Sequence, residues 1–264
     1  MQDCPAQVYR SRQPKNTPLH RLVSDNWDEF KTVYEDRFER YYGPLRPHVI
    51  RVVEEFLRCG LLDFGFTRLF CERCRKSYFL AFSCKQRCLC PSCLKKRQVA
   101  FAEFVTTEIL EDVPCCHANF TIPKRLRRHF HFDRKLLSQL ARCAYETLRD
   151  AIREACGPVT PGAVSVIHTA GSMMTFHPHV HLIISSGGWV NNDTFVHAPP
   201  LDRDALEELF RHRVFRMLLD EDAITPDVVE SMLSWHHSGF DAFIGPEIQG
   251  RNLNALENLA EYIA

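Results

Sequence analysis

Two pairs of closely spaced cysteines constrain the fold of this chain more than any other sequence feature. The pairs Cys71-x2-Cys74 and Cys90-x2-Cys93 are separated by fifteen residues. This spacing is typical of a structural zinc site, in which four thiolates surround one ion as a tetrahedron. Such a site leaves no coordination position open for water, so we expect it to fold a small module and to take no part in chemistry.

Three further cysteines lie near these pairs, and the sequence leaves their roles open. They are Cys59, Cys84 and Cys88. Cys84 either replaces one member of the predicted zinc site or forms a second site with Cys59. Burial as small apolar side chains is the alternative for all three. The chain has twelve cysteines in total, which in a reducing compartment favours metal binding over disulfides.

The composition indicates a globular protein, since 45% of the residues are hydrophobic. No run of about 18 apolar residues is present, which argues against a membrane partner. The first twenty residues lack the apolar stretch of a secretory signal. We therefore expect a cytoplasmic protein.

Hydrophobic spacing divides the chain into three parts. Residues 1–25 carry turn signals and little periodicity, which predicts a flexible tail. Residues 26–111 contain two amphipathic stretches, 27–40 and 46–59, followed by the cysteine-rich block, so we expect a helical, zinc-ribbon-like module that binds DNA. Residues 112–264 alternate between strand and helix patterns, which predicts an α+β domain with a central antiparallel sheet.

The net charge is zero, but basic side chains are concentrated in two segments. Residues 67–98 contain a single acid, Glu72, and residues 122–135 repeat the basic bias. Segregated charge of this kind gives one surface a positive potential, as phosphate contacts require, although solvated helix surfaces are the alternative. The candidate DNA contacts are Lys124, Arg125, Arg127, Arg128, Lys85, Arg87, Lys95, Lys96 and Arg97.

The stretch FHPHVHLII at residues 176–184 places His177, His179 and His181 on one face of a predicted strand. Three interpretations remain open. The rings are satisfied core residues, or His179 or His181 is the nucleophile of a histidine-triad nucleotide hydrolase. In the third, His179 and His181 hold a divalent cation in a DNA nickase of the HUH (histidine-hydrophobic-histidine) type. That enzyme needs a nucleophile from elsewhere, and the final predicted helix supplies Tyr262.

Five segments, taken in order, resemble a known family. They are FSCKQRCLCPSC, FTIPKRLRRHFHFDRKLL, FHPHVHLII, SWHHSGFDAF and LENLAEYIA. Together they resemble the insertion-sequence transposases of the IS91 type, which move by a rolling-circle route, over about residues 40–264. The resemblance implies a zinc-binding domain followed by an HUH nuclease domain. It also implies that single-stranded DNA is cut and rejoined through a covalent 5′-phosphotyrosine.

The resemblance also implies roles for individual residues. His179 and His181 match the family's metal-binding pair, His177 is the histidine just before it, and Tyr262 matches the catalytic tyrosine. The cysteines that match the zinc domain are Cys71, Cys74, Cys84, Cys90 and Cys93. The expected cofactors are a structural Zn²⁺ and a catalytic Mg²⁺ or Mn²⁺. The expected partner is single-stranded DNA from a transposon end, with a homodimer also considered.

The chain departs from the family pattern at two places. It stops two residues after Tyr262, which predicts a C-terminally truncated catalytic domain without the second tyrosine that some relatives carry. Cys88 stands where the family has a residue other than cysteine. The alternative function is therefore a noncatalytic, zinc-dependent DNA-binding remnant of such a transposase.

Overall fold

The computed structural model describes residues 13–86, 89–171 and 175–264. The chain divides into two compact units, one ending at Arg97 and the other spanning Gln98–Ala264. Helices alternate with antiparallel strands, which confirms the predicted α+β class. The division lies earlier than the boundary that we predict at residue 112. No helix among the described residues is long and apolar enough to cross a membrane.

The first unit contains helices and one two-stranded hairpin. Its elements are α1 (Pro18–Tyr34), α2 (Arg40–Tyr42), α3 (Pro47–Arg58), β1 (Phe66–Phe70), β2 (Ser77–Ala81) and the beginning of α4 (Pro91–Phe104). A π-helical turn, Glu35–Glu39, joins α1 to α2. The small core of the unit contains Phe56 and three buried cysteines, with apolar side chains of α1 and α3 packed against them.

The flexible tail that we predict over residues 1–25 is wrong in its later part, because α1 already begins at Pro18. The Thr17 side chain accepts a hydrogen bond from the backbone N–H of His20, which caps the helix. The His20 ring then bonds the Leu57 carbonyl of α3 at 3.1 Å. Hydrophobic spacing missed these turns because contacts remote in sequence stabilise them, whereas local periodicity is weak. A 3-10 helical turn, Pro14–Asn16, precedes α1, and residues 1–12 lie outside the described residues.

The second unit is built on a four-stranded antiparallel sheet. Its elements are β3 (Cys115–Thr121), α5 (Lys124–Phe132), α6 (Lys135–Cys156), β4 (Ala163–Ala170), β5 (Phe176–Ser185), β6 (Gly187–Val190), β7 (Thr194–His197), α7 (Arg203–Asp220), α8 (Pro226–Leu233), β8 (Asp241–Ile248) and α9 (Leu253–Ile263). The strand order in the sheet is β4-β5-β3-β8, and β6 pairs with β7 in a separate hairpin. The two central strands are therefore β5 and β3, where a side chain has neighbours on both sides.

One face of this sheet forms the main hydrophobic core. Side chains alternate between the two faces of a strand, so Ala118 and Phe120 of β3 and Val180 and Leu182 of β5 share a face. All four are fully buried in one cluster with side chains of α6 and α7. The Phe120 ring lies 4.7 Å from the ring of Phe210 on α7. Burial of this face fixes the register of β3 against β5, because a slip by one residue would turn these side chains outward.

The opposite face of the sheet carries the remaining side chains of β3 and β5, and part of it is covered by α9. Leu256, Ala260 and Ile263 of α9 are buried in a second cluster with Ile183 of β5. The histidines of β5 lie on this same face, because His181 is two residues before Ile183 and side chains alternate along the strand. Helix α9 is thus held against the histidine-bearing side of the sheet.

Candidate functional site

Four cysteines of the first unit bring their sulfurs together. Cys59 follows α3, Cys84 follows β2, and Cys90 and Cys93 lie at the beginning of α4. Their Sγ atoms all lie within 4.8 Å of one another. Cys93 Sγ is 3.6 Å from the sulfurs of Cys59 and Cys84, and Cys90 Sγ is 3.7 Å from that of Cys59. A tetrahedral zinc site with 2.3 Å bonds requires sulfurs about 3.8 Å apart, so these residues fit the ion.

The surroundings favour a thiolate at Cys93, whereas burial raises the pKa of Cys84 and of Cys90. The Cys84 backbone N–H donates to Cys59 Sγ at 3.3 Å. Burial opposes ionisation of Cys93, but hydrogen bonds from the other three thiols outweigh it and lower its pKa to about 7. Because thiolates are the form of cysteine that binds metal, one sulfur of the group is already close to its ligand state.

The structure pairs the predicted cysteines differently from the sequence spacing. Cys90, Cys93 and Cys84 are brought together, and Cys59 completes the group. Cys71 and Cys74 lie in the turn between β1 and β2, outside this group. Cys59 precedes Gly60 at the end of a predicted amphipathic helix, and this position was the sequence feature that could have indicated it. Spacing alone could not decide whether Cys59 or the Cys71–Cys74 pair joins Cys90 and Cys93 in the metal site. The unassigned Cys88 lies outside the described residues.

Three histidines of the second unit form another group that could hold a metal. They are His179 and His181 on β5 and His168 on β4, and their candidate ligand nitrogens lie within 4.8 Å of one another. The sheet register places His168 directly opposite His179. The His168 ring centroid is 4.5 Å from that of His181, and the His179 and His181 centroids are 4.9 Å apart.

Hydrogen bonds leave one ring nitrogen of His168 and of His179 available. His179 Nδ1 lies 2.7 Å from the His177 carbonyl oxygen, and His168 Nε2 lies 2.9 Å from the Ile263 carbonyl oxygen. A carbonyl can only accept, so the bonded nitrogen carries the proton and the other keeps its lone pair. This is the arrangement expected of metal-ligating histidines, whose second nitrogen is held by a backbone or side-chain partner. The bond to Ile263 also ties His168 to the last turn of α9.

His117 of β3, which sequence analysis missed, plays the corresponding part for His181. Its Nε2 lies 2.9 Å from His181 Nδ1, and the two rings are stacked with an angle of 11° between their planes. If His181 donates this bond, its Nε2 is free to bind a metal and His117 is the acceptor. No local motif marks His117, because it is 64 residues away from His181 in the sequence.

Burial favours the neutral state of His117, His179 and His181. It is the largest cause lowering the pKa of His181 to about 3, and nearby His168, His179 and His117 lower it further. Burial also lowers the pKa of His179 and of His117. A neutral imidazole offers a lone pair at physiological pH, whereas an imidazolium does not.

The structure places His177 beside this group and not in it. Its ring lies against Gly171, where a Cβ atom would come within 3.2 Å of the His177 Cβ. Its Nε2 is buried and has no hydrogen-bonding partner among the described residues. His168 therefore takes the third position for which His177 was the candidate. The alternation within β5 predicts which of its residues share a face. Which of those residues lies opposite His168 depends on the register between β5 and β4.

Tyr262 lies at the same face of the sheet. Its ring stands edge-on to His181 at 5.5 Å and to His117 at 5.7 Å between centroids. The side chain is 63% exposed, whereas its neighbour Ile263 is completely buried. The buried side of α9 thus holds the helix against the sheet. The phenol of Tyr262 lies at the edge of the histidine group and is accessible from solvent.

The candidate DNA-contacting residues lie in both units. In the second, Arg127 Nε donates to the Ile122 carbonyl at 3.3 Å, and Arg125 contacts the Trp235 ring at 5.8 Å. Burial lowers the pKa of His177 and of His179, and the charge of Arg127 adds to both shifts, so this guanidinium lies near the histidines. Seven of the other candidates are exposed: Lys124, Arg125, Arg128, Lys85, Lys95, Lys96 and Arg97. Arg87 lies outside the described residues.

Comparison with known proteins connects both units to transposases. Residues 26–122 match the family described as "Transposase zinc-binding domain", and residues 162–264 match the family described as "Putative transposase". These matches favour a transposase over a histidine-triad hydrolase. No solved structure matches the chain.

Two curated relatives are transposases as well. The transposase for insertion sequence element IS801 of Pseudomonas savastanoi pv. phaseolicola is 33% identical over 150 residues, which are 55% of this chain and 35% of that protein. The "Putative transposase y4qJ" of Sinorhizobium fredii is 30% identical over 166 residues, 61% of this chain and 40% of that protein. The chain thus spans less than half the length of these relatives. With a matching zinc-binding domain before a matching transposase domain, the chain belongs to the IS91 family of insertion-sequence transposases.

Proposed function

We propose that this chain cuts and rejoins single-stranded DNA during rolling-circle transposition, with Tyr262 as the nucleophile. The observation that carries the proposal is the position of the Tyr262 ring, 5.5 Å from that of His181. A phenol and three histidine nitrogens are thereby gathered at one place on the sheet. Family membership supports DNA as the substrate.

The three histidines would hold the catalytic cation. Their candidate ligand nitrogens lie within 4.8 Å of one another, which fits one ion. Each of the three rings also has a nitrogen in a hydrogen bond, as is usual for metal-ligating histidines. Mg²⁺ prefers oxygen ligands, whereas imidazole suits several transition metals, so Mn²⁺ matches this site better than Mg²⁺. A divalent cation bound there supplies Lewis-acid polarisation of a phosphate oxygen.

Tyr262 would form the covalent link to DNA. Its phenol oxygen attacks the phosphorus, the bond from phosphorus to the 3′ oxygen breaks, and the DNA stays attached as a 5′-phosphotyrosine. The phenol loses a proton and the leaving 3′ oxygen gains one, so a 3′-hydroxyl is released. Since one phosphodiester replaces another, the reverse attack by a 3′-hydroxyl can rejoin the strand without a nucleotide cofactor. The exposure of Tyr262 leaves room for the strand to approach.

Arg127 is a candidate contact for a phosphate next to the cut. Its charge acts on both His177 and His179, and a guanidinium can bind two phosphate oxygens at once. The more exposed cations of α5 would contact the backbone farther along. In the first unit the four-cysteine group would hold a structural zinc that folds the module beside its own basic surface.

The test is a covalent-adduct assay on the purified chain. Single-stranded oligonucleotides that tile the ends of its own element are incubated with Mn²⁺ and analysed on a denaturing gel and by mass spectrometry. We expect an adduct on Tyr262 that is lost in Tyr262→Phe and in His179→Ala. Tyr42→Phe is the matched control, because Tyr42 is an exposed tyrosine of the first unit.

Two results would contradict the proposal. An adduct that persists in Tyr262→Phe would place the nucleophile elsewhere. DNA binding on a native gel with no adduct on any oligonucleotide would favour the noncatalytic DNA-binding alternative.

A further inference from the structure

The β1–β2 hairpin of the first unit exposes an aromatic face. The register pairs Phe66 with Ala81, Arg68 with Phe79 and Phe70 with Ser77. Because side chains alternate along a strand, Phe66, Arg68, Phe70 and Phe79 point to the same face. The three phenylalanines are 47%, 52% and 49% exposed. Contiguous exposed apolar patches of this kind often mark interaction sites.

This face is ordered by contacts between its own side chains. The Phe66 and Phe79 rings pack edge to face, with centroids 5.0 Å apart and an angle of 80° between their planes. Arg68 Nε donates to Ser77 Oγ at 3.0 Å, which holds the guanidinium in the same row. From Phe66 to Phe70 the strand rises about 13 Å. The rings therefore form a fixed row with a cation inside it.

The charge around the rings favours a polyanion as the occupant. Between residues 66 and 81 the only acid is Glu72, while the cations include Arg68, Arg75 and Lys76. An apolar protein surface docked on the rings would leave these charges without partners. Single-stranded nucleic acid has both parts of the matching chemistry, since its bases stack on aromatic rings and its phosphates attract cations. A duplex keeps its base faces stacked inside and cannot use the rings in this way.

We propose that this face of the β1–β2 hairpin is a platform on which bases of single-stranded DNA stack, with Arg68, Arg75 and Lys76 contacting the phosphates. The inference rests on the proposed function, which names DNA as the partner. It adds the surface of the first unit that contacts the DNA. The platform is distinct from the histidine group, and its binding needs neither Tyr262 nor a divalent cation.

The test compares two substitutions at one position. Affinity for fluorescein-labelled oligo-dT of twenty nucleotides is measured by anisotropy, on full-length chain carrying Tyr262→Phe and without added divalent cation. Phe79→Leu keeps an apolar side chain but removes the ring, so we expect binding weaker by on the order of 5- to 150-fold. Phe79→Tyr keeps the ring and should bind as tightly as the parent. Leu69→Ala, on the opposite face of the hairpin, is the control and should also bind as the parent does.

The outcomes separate stacking from other uses of the patch. Equal affinity in Phe79→Leu and the parent would overturn the inference, and so would an equal loss in Leu69→Ala. Circular dichroism and zinc content show that each variant is folded. A second probe with 2-aminopurine inside the oligonucleotide should lose fluorescence on binding, because stacking quenches that base. Stacking without a Tyr262 adduct in the cutting assay would refute the proposed function and leave the platform intact.

Discussion

Replacing His117 by phenylalanine tests whether the histidine group is a metal centre supported by a specific hydrogen bond. The variant keeps a flat ring against Phe243 and Tyr262, whose centroids lie 5.9 and 5.7 Å away, but removes the bond to His181 Nδ1. His181 then loses the partner that fixes its tautomer. We expect His117→Phe to bind Mn²⁺ more weakly while its fold is preserved.

The size of the loss follows from the bond that is removed. Leaving a partly buried N–H of His181 without an acceptor costs about 1–3 kcal/mol. The loss of a second hydrogen-bonding partner behind a metal ligand typically reduces metal affinity by about 10- to 100-fold, or about 1.4–2.7 kcal/mol. The two estimates agree, so we expect the dissociation constant for Mn²⁺ to rise by one to two orders of magnitude.

The assay is titration with Mn²⁺, followed by the electron paramagnetic resonance signal of the free ion. His212→Phe is the matched control, because His212 is an exposed histidine of α7, remote in sequence from the group. The effect of His117→Phe should also disappear in a His181→Ala background, since His117 acts only through that ring. An unchanged dissociation constant, or the same loss in both backgrounds, would refute the reasoning.

Two further predictions concern the other parts of the structure. Cys59→Ser removes one of the four sulfurs, so it should reduce the zinc that copurifies with the chain and lower the melting temperature of the first unit. Cys156→Ser, outside the group, should change neither the zinc content nor the melting temperature. Atomic absorption measures the zinc and calorimetry the melting temperature, and full zinc content in Cys59→Ser would contradict the assignment. Phe120→Ala should lower the free energy of unfolding of the second unit by about 3–5 kcal/mol, since the ring is completely buried against Phe210, and a urea titration showing less than about 1 kcal/mol would contradict that packing.

Much of the second unit could be predicted from residue patterns. Alternation in FHPHVHLII correctly placed its histidines on one face, because successive side chains of a strand point to opposite faces. The final helix was also predictable, and it carries Tyr262. The first unit was harder, since the first turns of α1 contact α3 through His20 and Leu57, which are remote in sequence. Helix boundaries there could not be obtained from periodicity alone.

The sequence by itself determined the kinds of chemistry that this protein carries: sulfur ligands in the first unit, and imidazoles followed by a tyrosine in the second. Only the tertiary structure decided which members of each set meet. It chose Cys59 as the partner of the Cys90 knuckle, His168 as the third imidazole and His117 as the hydrogen-bonding partner of His181. The physical reason is that these contacts join segments remote in sequence. The register of the histidine-bearing strands is set by apolar side chains buried on the other face of the sheet, whereas Cys59 meets its partners in the small core of the first unit.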